Sequence, residues 1–547
     1  MSPAAIETAA GNNHMENNTQ LSEDELELRA QGHVGELPRQ FSAVSLLSLA
    51  FSITNSWIGY SAVFITPLFA GGGPGVIYCL LVASIACSFI TAGLAELASA
   101  FPSSGGQYHF AYMVAPVRFR AIIAFATGWL SVFAWLFTTA SACIFCAQVC
   151  VNIATLFHPE YVPTQWQVYL CYVAFVGACT LITIFLPKRI PLMETVFFIA
   201  SVAGFLVFLI TVLASSETKQ SASVVFVDWV NLTGWDDGTA FLLGVGQAMY
   251  SFLAVDSASH IAEEVPQPGK KVPQTMWVTV LIGITTVLPW TLAFMFSIQD
   301  IDAVSTSTLP IMELYLQALR GSKAGAAFFT TWLLFIYFGA CIACTVTTGR
   351  LIWAFARDHG LPFSSTFSKV HTGLEVPVNA TIFTGVFCIL YGLIYIGSTT
   401  AFNSFIATAI LFLNATYALP QGVVLFRGRK NALPTRHFDL GTVFGTFCNG
   451  FSVLWVALFT IIFCFPVFRP VTAETMNYVS VIIAGVCVFV ALLWWCDKGK
   501  TFTGPGVVGL EALEALEIVR TADESVHFDQ ESKSGRKGQA KTELGSL

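Results

Sequence analysis

The sequence predicts an all-α protein whose chain crosses a lipid bilayer about twelve times. Of its 547 residues, 55% are hydrophobic and 11% are charged, and long apolar runs follow one another along most of the chain. Soluble domains carry about 25% charged residues, so this chain has too few to cover a water-soluble core. A β-barrel would also span a membrane, but its strands need only about 10 residues, far fewer than these apolar runs contain.

Twelve apolar segments can be delimited, and each has about the 20 residues that a membrane-spanning helix needs. Glycine, proline and charged residues separate them, as in Gly71-Gly72-Gly73-Pro74. The predicted spans cover residues 42–69, 76–100, 119–147, 168–186, 192–214, 239–259, 275–298, 325–355, 376–396, 399–426, 445–467 and 476–496.

The spans divide the chain into three parts. Residues 41–496 form the predicted membrane domain, between an N-terminal tail of residues 1–40 and a C-terminal tail of residues 497–547. Both tails are polar, charged and poor in aromatic residues. We therefore expect them to be largely disordered.

Lys and Arg in short loops concentrate on the cytosolic side of a membrane protein. With the N-terminus inside, thirteen basic residues fall on the inner side and four, Lys219, Arg320, Lys323 and Arg469, on the outer side. We therefore expect both tails in the cytosol, with the plasma membrane as the expected location. This topology leaves Asn231-Leu232-Thr233 as the one sequon outside, which makes Asn231 the predicted glycosylation site.

The fourteen cysteines lie mainly within the apolar runs and include two CxxC pairs, Cys143/Cys146 and Cys341/Cys344. A structural zinc site needs four ligands, and in the sequence neither pair has a histidine or a second pair close by. Cysteine also behaves as a small apolar residue inside proteins, which is the interpretation we adopt. We therefore predict no metal site and no cofactor.

Two spans are interrupted by polar and glycine residues. Residues 52–61 of the first span read SITNSWIGYS, and the sixth contains Gly244, Gly246 and Ser251 before Asp256. Polar groups inside a bilayer are costly unless they face a cavity or a partner, and paired interruptions in two repeats mark a central binding site. Helix packing through small residues is the alternative explanation. The pairing favours a five-plus-five inverted repeat with discontinuous spans 1 and 6.

A site of this kind suits a small solute with an amino or quaternary-ammonium group. Unwound backbone offers free N–H and C=O groups, half-helix N-termini attract carboxylates, and aromatic faces bind cations. Trp57 and Tyr250 could supply such faces, and Asp256 a negative charge. Each has a structural alternative, the aromatic residues in packing and Asp256 at a helix end.

Charged residues near the inner ends of the spans are candidates for a gate. Glu96 ends span 2, where it either anchors the gate or caps its helix. Arg350 lies near the inner end of span 8, where it either forms an ion-paired gate or extends toward the lipid headgroups. We expect the acidic pair after span 6 to bond to the basic pair of the next loop: Glu263 and Glu264 with Lys270 and Lys271.

Two regions resemble signatures of the amino acid–polyamine–organocation permeases. Residues 95–108, AELASAFPSSGGQY, are similar to the region between spans 2 and 3 of that superfamily. Residues 350–362, RLIWAFARDHGLP, with VPVNA at 376–380, are similar to its span 8–9 region. The resemblance covers residues 30–496.

Three further segments are similar to the fungal branch of that superfamily, which includes choline and γ-aminobutyrate permeases. They are GHVGELPRQFS at residues 32–42, FSITNSW at 51–57 and DSASHIAEEVP at 256–266. This similarity implies a small amino or quaternary-ammonium solute that is moved by alternating access. It does not choose among amino acids, choline and γ-aminobutyrate.

The resemblance implies twelve spans, with spans 1 and 6 around the substrate. The substrate-binding residues expected from the family pattern and from the aromatic faces are Asn55, Ser56, Trp57, Gly59, Tyr250, Ala254 and Asp256. Many relatives have glycine where Ala254 stands, which leaves the position of the span 6 break open. Some proton-coupled members of the superfamily carry a lysine in span 5, whereas residues 195–213 of this chain contain no charge. A coupling proton is therefore a candidate partner, but the resemblance does not establish it.

These features predict a secondary transporter whose partners are a small-molecule solute and the lipid bilayer, and no nucleic acid. The alternative is a nutrient sensor of the same fold that transports weakly or not at all and signals through its tails. Tails of about 40 and 50 residues are short for such a sensor. An enzyme is not expected, since no Ser/His/Asp, HExxH or paired-carboxylate arrangement is evident within the spans.

The charge distribution predicts the outcome of a topology experiment. Asn231→Gln should abolish the mobility shift that an endoglycosidase produces in the wild-type protein. Asn17→Gln, Asn379→Gln and Asn414→Gln should leave that shift unchanged, because these sequons would lie in the cytosol or the membrane. Protection of either tail from protease in vesicles with the cytosolic face outward would contradict the orientation.

Overall fold

Helices dominate the structure. The computed structural model describes residues 35–158, 160–472 and 475–505, and the single residues 24, 28, 29, 32 and 33. Across this part of the chain the regular structure is helical, with one isolated β-bridge between His371 and Val376 and no strand. The predicted all-α class is confirmed.

Eleven helical segments of the described chain are long and apolar enough to cross a bilayer, so this is a multi-pass membrane protein. The first predicted span is not among them, because its two pieces, α1 (Ala43–Thr54) and α2 (Ser56–Val63), are each too short. The eleven segments are Ile65–Ala100, Arg120–Thr155, Gln165–Phe185, Pro187–Ser215, Asp237–His260, Pro268–Ser297, Lys323–Arg357, Val378–Gly397, Thr399–Arg427, Thr442–Ile462 and Val479–Thr501.

The helices are numbered in chain order. After α1 and α2 come α3 (Ile65–Ala100), α4 (Gln107–Val114), α5 (Arg120–Thr155), α6 (Gln165–Phe185), α7 (Ile190–Ser215), α8 (Ala222–Phe226) and α9 (Asp237–Ala248). They are followed by α10 (Ser257–His260), α11 (Pro268–Ser297), α12 (Ile301–Thr306), α13 (Pro310–Ala318), α14 (Lys323–Arg357), α15 (Ser364–Phe367) and α16 (Val378–Gly397). The last are α17 (Thr399–Arg427), α18 (Arg429–Ala432), α19 (Thr442–Ile462), α20 (Val479–Leu493) and α21 (Gly499–Thr501).

The first span is interrupted at Asn55, within the polar stretch that predicted a break. Asn55 has φ 23° and ψ 62°, which separates α1 from α2. Asparagine adopts positive φ more readily than other residues with a side chain, which explains why the break falls here. Further on, Gly71 and Gly72 bend α3, with φ +63° at Gly72, so α3 contains both the end of span 1 and the whole of span 2.

Span 6 is interrupted between α9 and α10. A 3₁₀ turn covers Met249–Phe252, and the chain is then non-helical until α10 begins at Ser257. Ala254 lies in this interval with φ +63°, a left-handed conformation that costs a residue with a Cβ about 1–2 kcal/mol. The break therefore falls at the position that the sequence left open, and the discontinuity predicted for spans 1 and 6 is confirmed.

Among the eleven described spans, α5 is the most buried. In the apolar window of α5, 83% of the residues are buried, against 17% in the last span, so α5 is central and α20 peripheral. α5 packs against α4, α14 and α17, and α1 packs against α7, α11 and α14. Large apolar side chains remain exposed on the outer faces, such as Ile210 on α7 and Leu454 on α19, as expected of helices in contact with lipid.

The loop before α9 contains the predicted glycosylation site. Asn231 Nδ2 donates hydrogen bonds to Trp235 O (2.8 Å) and Asp237 Oδ1 (2.9 Å). Next to it, Asp236 caps α9, and the hydrogen bond from the Thr239 backbone N–H (3.0 Å) holds the pKa of Asp236 below its usual value. Glycan addition at Asn231 stays a prediction. Because the Asn231 amide forms these hydrogen bonds in the folded loop, the glycan would have to be added before the loop folds.

Most of the two predicted tails, residues 1–23 and 506–547, lies outside the described residues. Within the described residues, the helical body covers residues 36–505 and extends beyond both ends of the predicted domain. Near its C-terminal end, Phe502 is buried with its ring centre 5.4 Å from that of Phe125. The segment that follows the last span therefore packs on α5.

The strained conformation of Ala254 predicts a stabilising substitution. Ala254→Gly should raise the free energy of unfolding by about 0.5–1 kcal/mol, because the relief of left-handed strain exceeds the entropy that glycine adds to the unfolded chain. The check is the melting temperature of the purified protein in detergent. Ala258→Gly is the matched control in α10, where glycine should cost about 1 kcal/mol. A lower melting temperature in both variants would contradict the expectation.

Candidate functional site

A small cavity lies where the two interrupted spans meet α5 and α14. Its volume is about 30 Å³, measured as the space open to the centre of a water molecule. Since one water needs about 10–15 Å³ on this measure, about two waters would fill it. The wall is formed by Ser52, Ile53, Thr54, Asn55, Ile58 and Gly59 of span 1, Thr138 and Ala142 of α5, Tyr250, Leu253 and Ala254 of span 6, and Ile336, Tyr337, Ala340 and Cys344 of α14.

The span 1 side of the cavity carries polar atoms that have no hydrogen-bond partner in the described structure. They are Thr54 Oγ1 and Asn55 Nδ2, and both are buried. Buried polar groups in native proteins are nearly always hydrogen-bonded, so a group of unpaired polar atoms at a cavity indicates a place for a polar ligand. This wall could therefore bind a small polar solute.

Four of the predicted substrate-binding residues line the cavity: Asn55, Gly59, Tyr250 and Ala254. Tyr337 of α14 also lines it, and its OH donates a hydrogen bond to Ile58 O (3.2 Å) in the unwound region of span 1. The sequence did not indicate Tyr337, because a single tyrosine in an apolar run has no distinguishing pattern. Contacts between helices bring it to the site.

Ser56 and Trp57 do not line the cavity. Trp57 is fully buried, and its Nε1 donates to Ser201 Oγ (3.1 Å) on α7. Its ring packs edge-on against Phe208 and Trp290, at ring-centre distances of 5.5 and 5.6 Å. Ser56 faces Gly283 of α11, where an added Cβ would lie only 2.3 Å from Ser56 Oγ. In this conformation both residues pack span 1 onto α7 and α11.

Asp256 is at the centre of a hydrogen-bond cluster and does not line the cavity. Its Oδ2 accepts from Gln107 Nε2 (2.8 Å) and Trp135 Nε1 (3.1 Å) and lies 3.0 Å from His260 Nε2, while its Oδ1 accepts from Tyr417 OH (2.5 Å). These partners come from α4, α5, α10 and α17, and all are buried. Four contacts satisfy both oxygens of the carboxylate. Asp256 therefore joins four helices at the span 6 break.

Buried ion pairs join the ends of spans 1, 6 and 8. Glu264 accepts from Arg350 Nε (2.8 Å) and from Gln40 Nε2 (2.6 Å). The two oxygens of Glu263 accept from the two terminal nitrogens of Arg357, each at 2.9 Å. Gln40 precedes α1, the glutamates follow α10, and the arginines lie in the last turns of α14. These contacts therefore close one end of the bundle beyond the cavity.

The predicted pairing of Glu263 and Glu264 with Lys270 and Lys271 is wrong. Both glutamates are buried, whereas Lys270 is exposed in the first turn of α11, and neither lysine forms an ion pair within the described residues. A buried carboxylate needs a partner that is buried with it, and the planar guanidinium group of arginine fits a carboxylate with two parallel donors. Arg350 is itself fully buried and does not extend toward the headgroups.

Glu96 forms a second ion-pair cluster that does not touch the cavity wall. One of its oxygens accepts from Arg429 Nη2 (2.5 Å), from Arg436 Nη2 (2.7 Å) and from the backbone N–H of Leu440 (3.1 Å). The cluster fixes the chain after α17 to the end of α3. The contacts of Glu96 thus go to the segment after α17, and its role at a gate stays a prediction.

The two CxxC pairs meet in space although they are distant in sequence. Cys146 Sγ lies 3.4 Å from Cys341 Sγ, and the sulfur atoms of Cys143, Cys179 and Cys341 lie within 4.8 Å of one another. Pairs that are separate in the sequence come together here because α5 packs directly against α6 and α14. Three such thiols could hold a soft metal ion, but no step of solute transport requires one.

A bundle of apolar helices with two interrupted spans around a small cavity defines a membrane transport protein. The sequence matches the family model for amino acid permeases over residues 44–487. The chain belongs to the amino acid permease family. It transports small solutes across a membrane and is not an enzyme.

Its relatives carry the names of different solutes. A choline transporter of Saccharomyces cerevisiae is 36% identical over 481 residues, which cover 86% of this chain and 83% of that protein. A swainsonine transporter of Arthroderma benhamiae is 31% identical over 475 residues, 85% and 92% of the two chains. A 7-keto 8-aminopelargonic acid transporter of Saccharomyces cerevisiae is 27% identical over 516 residues, 83% and 91% of the two chains.

The buried pair of Arg350 and Glu264 predicts a loss of stability. Arg350→Ala should leave Glu264 buried without its cation, at a cost of about 3–5 kcal/mol, and should lower the melting temperature in detergent. Lys271→Ala is the control and should change it little, because Lys271 forms no ion pair within the described residues. The double variant Arg350→Met, Glu264→Gln should recover part of the loss. A wild-type melting temperature in Arg350→Ala would refute this view of the pair.

Proposed function

We propose that the protein is a secondary transporter of a small amino or quaternary-ammonium solute, such as choline, γ-aminobutyrate or an amino acid, and that it works by alternating access. The observation that carries this proposal is the cavity between the two interrupted spans, with unpaired polar atoms and two tyrosines in its wall and buried ion pairs at one end. Irregular backbone is tolerated at membrane depth where it lines a cavity or is buried in protein. In transporters, a cavity between interrupted helices is where the solute binds.

The size of the cavity supports a mechanism with a conformational change. About two water molecules fill it, so a solute with several carbon atoms enters only after the surrounding spans separate. The pairs Arg350–Glu264 and Arg357–Glu263 tie span 8 to span 6, and breaking them would release that end of the bundle. Under the topology predicted from the basic residues, that end is cytosolic, which makes Arg350 a gating residue and the structure closed toward the cytosol.

The aromatic part of the wall supports a cationic headgroup. Tyr250 and Tyr337 both line the cavity, and Phe145 packs against them at ring-centre distances of 5.9 and 6.2 Å. A cation over an aromatic face gains about 0.5–2 kcal/mol. Choline, for which one relative is named, has a quaternary ammonium group that suits such faces. The amide of Asn55 and the hydroxyl of Thr138 would take the polar end of the solute.

The predicted site residues divide into two roles. Asn55, Gly59, Tyr250 and Ala254 would contact the solute, because they line the cavity. Ser56, Trp57 and Asp256 would hold the two interrupted spans in the shape that forms the cavity, because their contacts go to neighbouring helices. Glu96 would keep the adjoining loop in place while the gate moves.

Uptake by reconstituted vesicles tests the function. Radiolabelled choline, γ-aminobutyrate, ethanolamine, polyamines and common amino acids would be offered one at a time. Uptake of at least one solute above protein-free vesicles is the expected result. Binding of a solute without uptake would instead favour the nutrient sensor.

Substitution of Tyr250 tests the placement of the solute. Tyr250→Ala should weaken the apparent affinity for a transported cation by about 2- to 30-fold, which corresponds to 0.5–2 kcal/mol at about 1.4 kcal/mol per tenfold. Tyr250→Phe keeps the aromatic ring, so its apparent affinity for the cation should stay near that of the wild type. Trp57→Ala should instead reduce the amount of folded protein, because it removes buried packing worth about 3–5 kcal/mol. Unchanged affinity in Tyr250→Ala would place the solute elsewhere.

A further inference from the structure

Glu194 is a fully buried carboxyl group inside span 5 that has no charged partner in the described structure. It lies in the second turn of α7, its side chain is 0% exposed, and neither carboxyl oxygen makes a hydrogen bond of normal length and angle. An ionised carboxylate in such surroundings is far more costly than a neutral acid. An ionisable residue at membrane depth is by default a candidate functional group, and nothing in the site described above uses this one.

Ser52 connects this carboxyl group to the cavity. Its hydroxyl lies beside the Glu194 carboxyl and also lines the cavity wall. The hydroxyl has no hydrogen-bond partner of its own at normal length and angle. Cys344 of α14 also lines the cavity and lies close enough to Glu194 to interact with it electrostatically. Glu194 therefore lies directly behind the wall that spans 1 and 8 form.

The elements packed against α7 bring no charged partner to Glu194. α1 has no ionisable residue and contributes Ser52, while α14 contributes Cys344. α11, α13, α14 and the turn Pro187–Arg189 carry charged residues, including Arg350 on α14, but none of these described residues interacts with this carboxyl. A carboxyl group without a fixed cation changes its charge when solvent reaches it. Opening of the cavity is the event that would bring solvent close.

We propose that Glu194 is a proton-binding site that exchanges its proton with the cavity through Ser52. In the closed conformation the carboxyl group is protonated. When the spans separate and solvent enters, Glu194 gives its proton to Ser52 Oγ while the hydroxyl proton of Ser52 passes to the solvent, and the reverse transfer reloads the carboxyl group. The role of this proton in transport rests on the proposed function: uptake depends on pH through Glu194.

Infrared spectroscopy tests the bound proton without any solute. The purified wild-type protein in detergent at neutral pH should show a C=O stretching band of a buried carboxylic acid that is lost in Glu194→Gln. Glu217→Gln is the matched control and should leave the band in place, because Glu217 has a side chain that is 69% exposed. Identical carboxylic acid bands in the wild type and Glu194→Gln would overturn the proposal.

Two further measurements test the exchange path and the coupling. Ser52→Ala should keep the acid band but slow its shift after transfer to heavy water, and a shift as fast as in the wild type would overturn the role of Ser52. The pH dependence of choline uptake by vesicles should be lost in Glu194→Gln, and an unchanged pH profile would overturn the coupling. If the wild-type protein takes up no choline, the choline proposal fails, while the infrared bands still decide whether Glu194 holds a proton.

Discussion

Lipid offers no hydrogen bonds, so a helix that is interrupted inside a membrane must satisfy its freed groups within the protein. At the span 6 break, turn bonds such as Ser257 N–H to Ala254 O satisfy backbone groups, and Asp256 fixes the break by accepting from or contacting side chains of four helices. At the span 1 break, Ser201 accepts from Trp57 and donates to Asn55 Oδ1 (3.0 Å), which ties the break to α7. The cavity is the space that remains between the two breaks, so its position follows from these bonds.

The buried acids of the body illustrate three solutions to one electrostatic problem. Asp256 is surrounded by hydrogen-bond donors, Glu264 is paired with Arg350, and Glu194 has only the Ser52 hydroxyl beside it. The first arrangement fixes helices to one another, and the second holds one end of the bundle closed until a competing interaction replaces it. The third leaves a group whose charge depends on its access to solvent. The shape of the site, the gate and the proton site therefore each depend on a buried carboxyl group, and the surroundings of that group decide which of these roles it has.

The sequence predicted those features that depend on local composition. The polar stretch at residues 52–61 predicted the break that falls at Asn55, and the glycine and polar residues before Asp256 predicted the break in span 6. The sequence predicted the ion-pair partners of the buried glutamates less well. Lys270 and Lys271 are the nearest cations along the chain from Glu264, yet Arg350 binds it, because α14 runs past the end of span 6. Pairing inside a protein follows distance in space and shared burial, and neither can be read from separation along the chain.

By itself, the sequence determined that the chain is a helical membrane protein with two interrupted spans, because hydropathy and helix-breaking residues act over a few turns of a helix. The direction in which each side chain faces was decided only by the tertiary structure. Trp57 and Tyr250 are both aromatic residues beside a break, but Trp57 packs onto α7 and α11 whereas Tyr250 lines the cavity. Glu194 is a single acid in an apolar run, and its proximity to the cavity arises where α7 packs against α1. The packing of distant helices sets such orientations, since each depends on which neighbour fills the adjacent space.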